Sequence, residues 1–231
     1  MNLPGFFAIL LIVLPSIATA TRARAATIED RLAQYGAEAR ARLEPLFAKQ
    51  AIAYPPHKLV FIGLKEEKVL QVYARSGTND FLFVREYPVL AASGVAGPKL
   101  REGDQQVPEG IYPIELLNPN SSYHLSMRIG YPNAFDREQA QNESRTNLGG
   151  DIMIHGKAKS VGCLAMGDPA AEELFVLAAD TGITNIEVII APVDFRAGKK
   201  LPENTKLTPW IGKHHEQIKS RLAEFPRPKD K

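Results

Sequence analysis

"HKLVFIGLKEEKVLQVYAR", His57 to Arg75, decides the fold. Two runs rich in Val, Ile, Leu, Phe and Tyr are joined by the charged segment Lys65 to Lys68. Branched and aromatic side chains suit a pleated backbone, and a short polar break between two such runs is a hairpin signal. The stretch predicts two paired strands, and so a sheet in the body of the chain.

Further along, "FLFVREYPVL" predicts a third strand and "PEGIYPIELL" a fourth, opened by Pro108 and Gly110. "YHLSMRI" and "DIMIHG" predict a fifth and a sixth. The segments between them, "SGVAGPKLREGDQQVPEG", "NPNSS" and "GYPNAFDREQAQNESRTNLGG", are rich in turn formers and read as loops. "DPAAEELFVLAADTG" predicts a helix capped by Asp168, with Pro169 as its first helical residue and Gly182 as its stop. "TNIEVIIAPVDF" reads as a buried strand. "PWIGKHHEQIKSRLAEF" reads as a final helix with Trp210, Ile211, Ile218, Leu222 and Phe225 on one side, and "PRPKDK" as a tail. Many short strands with such connections imply a mainly β, α+β domain built as a sandwich or barrel.

On the other side of the opening stretch, "TIEDRLAQYGAEARARLEPLFAKQ" predicts an amphipathic helix over residues 27–50, capped by Thr27 with Asp30 at the capping-box position. Ile28, Leu32, Tyr35, Ala39, Leu43 and Leu46 recur at helical spacing, and Pro45 is expected to bend or end the helix. Before it, the apolar run Phe6 to Leu14 is followed by Pro15 and by two small-x-small sites, Ala18-Thr19-Ala20 and Ala23-Arg24-Ala25. This predicts a secretory signal over residues 1–25, with an uncleaved N-terminal anchor as the alternative. An exported protein follows, in contact with the membrane only transiently through that segment.

The chain has 231 residues, 45% of them hydrophobic and 23% charged, enough to bury a core. The 28 basic residues exceed the 26 acidic ones by two, and loss of Arg22 and Arg24 with a signal leaves a neutral chain. Without a basic stripe, nucleic acid is excluded as the main partner.

"DIMIHGKAKSVGCLAMGD", Asp151 to Asp168, holds the single cysteine, Cys163, eight positions after His155. A lone thiol outside the cytoplasm forms no internal disulfide and oxidises if accessible. Either it is buried, or it does chemistry. His155 ends a strand, and Gly156 lets the chain turn back, so the two side chains could meet. An imidazole beside a thiol can take its proton and give a thiolate–imidazolium pair. The backbone N–H groups of Gly162 and Cys163 are candidates for an oxyanion hole. Equally, cysteine is a common buried residue, and spacing alone leaves both readings open. No second cysteine or His/Asp/Glu set accompanies it, so neither a metal nor another cofactor is expected.

The frame itself adds to this. "IHG" followed by Ser160-Val161-Gly162-Cys163 resembles the HG…S-x-G-C signature of the L,D-transpeptidase (YkuD-type) catalytic domain. "VPEGIYPI" is similar to that family's TP-x-G-x-F/Y element, and "YHLSM" stands where the strand before the HG strand belongs. The resemblance spans about Leu59 to Phe195. It narrows to a YafK-like (DpaA-like) subgroup through "SGVAGPKLREGDQQVPEG" and "NPNSSYHLSMRIGYPN". Two positions depart from the wider family: Val161 replaces a histidine and Ala165 an arginine. The His-to-Cys loop is also short.

The resemblance implies an L,D-transpeptidase-like β-sandwich over residues 57–197, with an N-terminal helix, one helix after the cysteine, and a C-terminal helix and tail over 198–231. It implies Cys163 as nucleophile and His155 as base and acid, acting on diaminopimelate-containing stem peptides of peptidoglycan, with a peptidoglycan-linked lipoprotein as a further partner. The wider family forms cross-links; the subgroup hydrolyses the bond to a linked lipoprotein. Gly162, Ser160, Gly156 and His124 are the oxyanion and substrate-binding candidates. Ser160 serves equally well as a hydroxyl satisfying its own loop, and His124 as a surface or core histidine. His214 and His215 are expected in solvent, Arg101 to Asp104 as a solvated loop, and Tyr131 to Asn133 as a lid or turn. Lys157 and Lys159 flank the expected cleft. A non-catalytic peptidoglycan-binding module is the reading from another class.

Overall fold

The structure is a computed structural model, and it describes residues 24–228 apart from 79, 204 and 206. The expected signal segment falls almost wholly outside the described residues. Among the described residues, no helix is long and apolar enough to cross a membrane.

The opening hairpin forms as predicted. Strand β1 (Lys58–Leu64) pairs antiparallel with β2 (Val69–Arg75), which pairs in turn with β3 (Leu82–Pro88). On its other side β1 runs parallel to the late strand β8 (Ile186–Ala191). Both strands are buried on both faces, which explains their continuous apolar runs. Strand β4 (Gly110–Ser121) is long enough to belong to two half-sheets. Its first residues pair with β8 and its later ones with β5 (His124–Ile129). Beyond β5 lie β6 (Met153–His155) and the two-residue β7 (Leu164–Ala165), giving the order β3-β2-β1-β8-β4-β5-β6-β7.

Helices cover the sheet. In α1 (Ile28–Lys49) the Thr27–Asp30 capping box is complete. The helix runs past Pro45 to Lys49, because Phe47 is fully buried and holds the last turn in place. Helix α3 (Asp168–Thr181) buries most of its circumference. Arg40 binds Asp180 through Nε and Nη2 at 2.8 and 2.7 Å, locking α1 to α3. These two helices share a core with Phe61, Tyr112, Leu125, Leu164, Phe175 and Ile190. A second core lies under α4 (Ile211–Leu222), where Ile218, Leu222 and Phe225 meet Val60, Ile62, Tyr73 and Ile189.

Several expectations are corrected. The polar segment read as loop contains helix α2 (Ala134–Asn142), which buries only Asp136 and Ala140 and so lacks an apolar stripe. Its signal was the capping box of Asn133 with Asp136, which also makes Asn133 a helix cap rather than part of a lid. The N-cap of α3 is Gly167, not Asp168. The carboxylate of Asp168 instead accepts from the Lys157 N–H at 2.7 Å. His214 and His215 are both buried: their Nε2 atoms bond the Glu109 carbonyl and carboxylate, each at 2.8 Å. The Arg101–Asp104 run, by contrast, is the solvated loop expected, with Arg101, Glu102 and Gly103 exposed; Asp104 pins it by accepting from Lys99 Nζ and from the N–H groups of Leu100, Arg101 and Gln106.

Candidate active site

Strand pairing brings the two ends of the HG…G-C segment together. Strands β6 and β7 run parallel, with Ile154 beside Leu164 and His155 beside Ala165. The Met166 N–H donates to the His155 carbonyl at 2.8 Å and fixes this register. Continued back one residue, the register sets Cys163 beside Met153, whose N–H points at Sγ at 3.3 Å. The cysteine and His155 therefore stand two register positions apart, roughly 6.6 Å along the strands. Among the described residues no hydrogen bond joins Sγ to the imidazole.

The loop between them is held by side-chain oxygens. Ser160 Oγ accepts from the Cys163 N–H at 3.0 Å and donates to the Cys163 carbonyl at 2.6 Å. Ser160 thus closes its own loop. The Gly162 N–H donates to Ser93 Oγ at 2.6 Å. Both proposed oxyanion donors are engaged by serine hydroxyls. Gly162 has φ +85°, a conformation that disfavours any residue with a Cβ. Val161 is 71% exposed at the tip of this turn.

His155 is 3% exposed. Its Nδ1 lies 2.6 Å from the Gly156 carbonyl, which can only accept, so Nδ1 carries the proton and Nε2 keeps its lone pair. Burial lowers the pKa of this imidazole, against the raising effect of the Gly156 carbonyl. Burial also raises the pKa of the Cys163 thiol. The Met153 N–H and the Lys99 charge oppose that shift, while Asp151 adds to it. Both shifts favour the neutral forms of the thiol and the imidazole over a thiolate–imidazolium pair. Gly156 is required sterically, since a Cβ there would lie 2.6 Å from Asp168 Oδ1 and 2.8 Å from the Tyr123 carbonyl.

His124 does not join the site. Its Nε2 lies 2.8 Å from Glu172 Oε1 on α3, and its ring packs edge-on to Tyr35 on α1 at 5.2 Å. With φ +74°, His124 departs from strand geometry, so alternation misjudges its face and that of its neighbour. It is Tyr123 that borders the site: its ring is 4.7 Å from that of His155, and it is 45% exposed. Lys157 Nζ reaches the Ser122 carbonyl at 2.6 Å and lies 5.8 Å from the Tyr123 ring centroid. Lys159 is exposed. Ser93 carries no local signal in the sequence, because tertiary contacts, the Leu90–Ala165 and Ala91–Ala165 backbone bonds among them, bring its segment to the cysteine turn.

Known proteins resemble this chain. The family model for the YkuD L,D-transpeptidase catalytic domain matches residues 57–190. The chain is 32% identical over 151 residues to YafK of Escherichia coli K12, whose provisional name is L,D-transpeptidase; the match covers 63% of this chain and 57% of that protein. Among solved structures it resembles the helical cell shape determining protein Pgp2 of Campylobacter jejuni, with 23% identity and TM-score 0.48 over 74% of this chain and 55% of the other. It also resembles L,D-transpeptidase 1 of Mycobacterium tuberculosis, with 14% identity and TM-score 0.34 over 58% and 62%.

Proposed function

Because the chain belongs to the YkuD L,D-transpeptidase catalytic domain family, we propose that it is an exported, periplasmic cysteine acyl-transfer enzyme acting on diaminopimelate bonds of peptidoglycan. The observation that carries this reading is the His155 ring, locked by the Gly156 carbonyl with Nε2 free, one strand away from the only thiol.

The chemistry follows from those atoms. Substrate binding draws the thiol and imidazole together. Nε2 takes the Sγ proton as Sγ bonds to the diaminopimelate carbonyl carbon, and the carbonyl oxygen becomes an oxyanion. That oxyanion competes with Ser93 Oγ and Ser160 Oγ for the N–H groups of Gly162 and Cys163, and a charged acceptor wins over a neutral hydroxyl. The tetrahedral intermediate collapses, the C–N bond breaks, and the imidazolium gives its proton to the leaving amine. Water, deprotonated at Nε2, then attacks the thioester, restores the thiol and releases a free carboxylate.

Water is preferred as acceptor because Ala165 stands where cross-linking relatives carry arginine. The released amine then belongs to a peptide or to a peptidoglycan-linked lipoprotein. The name of the YafK relative favours a second reading, in which an amine of another stem peptide or lipoprotein takes the acyl group. Mass analysis of products from native peptidoglycan, with wild type and Cys163→Ala side by side, tests both. Free diaminopimelate carboxylates support hydrolysis, and new dimers support transpeptidation. Turnover that survives in Cys163→Ala sinks the cysteine mechanism and leaves a binding module as the better account.

A further inference from the structure

The α4 face of the sheet carries a second, cationic feature that the acyl-transfer chemistry does not use. A groove of about 430 Å³ runs over the first residues of β1 and β8, lined by Lys58, Arg75, Phe81, Ile111, Glu187 and Arg221 among others. Lys58 and Arg75 are direct partners across the β1–β2 pair. Like charges placed opposite each other destabilise a sheet unless something neutral or anionic lies between them. Among the described residues, Lys58 Nζ has only the neutral Asn185 amide oxygen, at 2.8 Å. The Arg75 guanidinium rests on the Phe81 ring, 4.6 Å from its centroid. Its Nε is buried and, among the described residues, has no hydrogen-bond partner. A buried donor without an acceptor costs roughly 1–3 kcal/mol. The third cation, Arg221, is neutralised by Glu187 at 2.9 Å.

We propose that this groove binds the carboxylate of a short peptide or peptide-like ligand, with Arg75 and Lys58 holding the two oxygens. The guanidinium fork matches a planar carboxylate, and the ammonium supplies a point charge beside it. Phe81 and Ile111 offer an apolar wall for the adjoining side chain. Glu187 lines the same groove and opposes a second negative charge, which favours carboxylate over phosphate. The groove is separate from the Cys163 site. Gly63 of β1 faces Leu164, beside the cysteine, on the opposite side of the sheet from Val60 and Tyr73, which face α4.

The test is a titration of the full chain followed by the arginine Nε–H resonances in NMR, using N-acetylalanine, its methylamide and inorganic phosphate. N-acetylalanine is expected to shift the Arg75 signal saturably, the methylamide not at all, and phosphate with weaker affinity. Arg75→Gln and Lys58→Gln should each weaken N-acetylalanine binding roughly tenfold, the scale of a lost charge-assisted bond. Should Arg75→Gln fail to fold, Lys58→Gln decides. Cys163→Ala should bind as wild type does, so this result stands apart from the fate of the acyl-transfer reading. A non-saturating response, equal binding of the methylamide, tighter binding of phosphate, or unchanged affinity in the folded variants overturns the proposal.

Discussion

His155 donates its Nδ1 proton to the Gly156 carbonyl and keeps Nε2 free, and burial holds its pKa below the ordinary histidine value. A lowered pKa means that the neutral, proton-accepting form persists to more acidic pH. In Cys163→Ala, the His155 ring should titrate in NMR with a midpoint below about 6.5, and the acid limb of wild-type turnover should fall in the same range. A midpoint above neutrality would mean that the imidazole is not held as a base. Alkylation of Cys163 by iodoacetamide should accelerate only as pH approaches the raised thiol range, since burial opposes the thiolate. Tyr123 packs its ring 4.7 Å from that of His155. We expect Tyr123→Ala to move the His155 midpoint up toward the ordinary value and to lower turnover, whereas Tyr123→Phe keeps both, because the ring and not the hydroxyl makes the contact. Equal midpoints in the Ala and Phe variants would remove Tyr123 from the site. None of this was legible in residue spacing. The alternation of "SSYHLSM" pointed to His124, and only the left-handed backbone at that residue reverses the assignment.

At the scale of elements, the strands were readable because their apolar runs face a core on one side or both, α1 because its capping box and apolar stripe agree, and α3 because Pro169 and Gly182 mark its two ends. Helix α2 was hidden because it packs through a carboxylate. Asp136 caps it by accepting the Asn133 N–H at 2.9 Å, and burial raises its pKa to about 6, against the lowering effect of that N–H. The sign follows from linkage. The folded state holds the Asp136 proton more tightly than the unfolded chain does, whose carboxyl titrates near ~3.9. Below that value the group adds no cost; as pH rises to about 6 the cost of a buried carboxylate appears in full. Asp136→Asn keeps an oxygen for the cap and cannot ionise. Urea denaturation across this window should show the wild type losing stability as pH rises, relative to Asp136→Asn. Parallel curves for the two proteins would show that the carboxylate is not titrating in the fold.

For the molecule as a whole, the final helix matters most, because the sequence presents it as an appendage after the last strand. Its apolar positions were legible, but its packing was not: nothing in "PWIGKHHEQIKSRLAEF" shows that the sheet has two buried faces, or that Glu109 waits for both histidines. In the structure α4 covers the face of β1 and β8 opposite α1 and α3, and Leu222 and Ile218 are fully buried there. Glu109 anchors the same helix from inside. Burial alone pushes its carboxyl up, but the Lys65 charge, with hydrogen bonds from His215, Lys65 and the Gly97 N–H, brings the pKa below the ordinary range. Along β1 and β8 the sheet thus has a core on both faces, and α4 should melt with it. Leu222→Ala leaves a cavity against Val60, Tyr73 and Ile189 and should cost about 2–5 kcal/mol, read as a lower midpoint in urea with an unchanged slope and a single transition. The slope matters as much as the midpoint. If α4 were an independent appendage, the variant would lose helix signal in a separate early phase while the sheet unfolded at the wild-type midpoint. One cooperative transition, shifted as a whole, is the behaviour that this architecture requires.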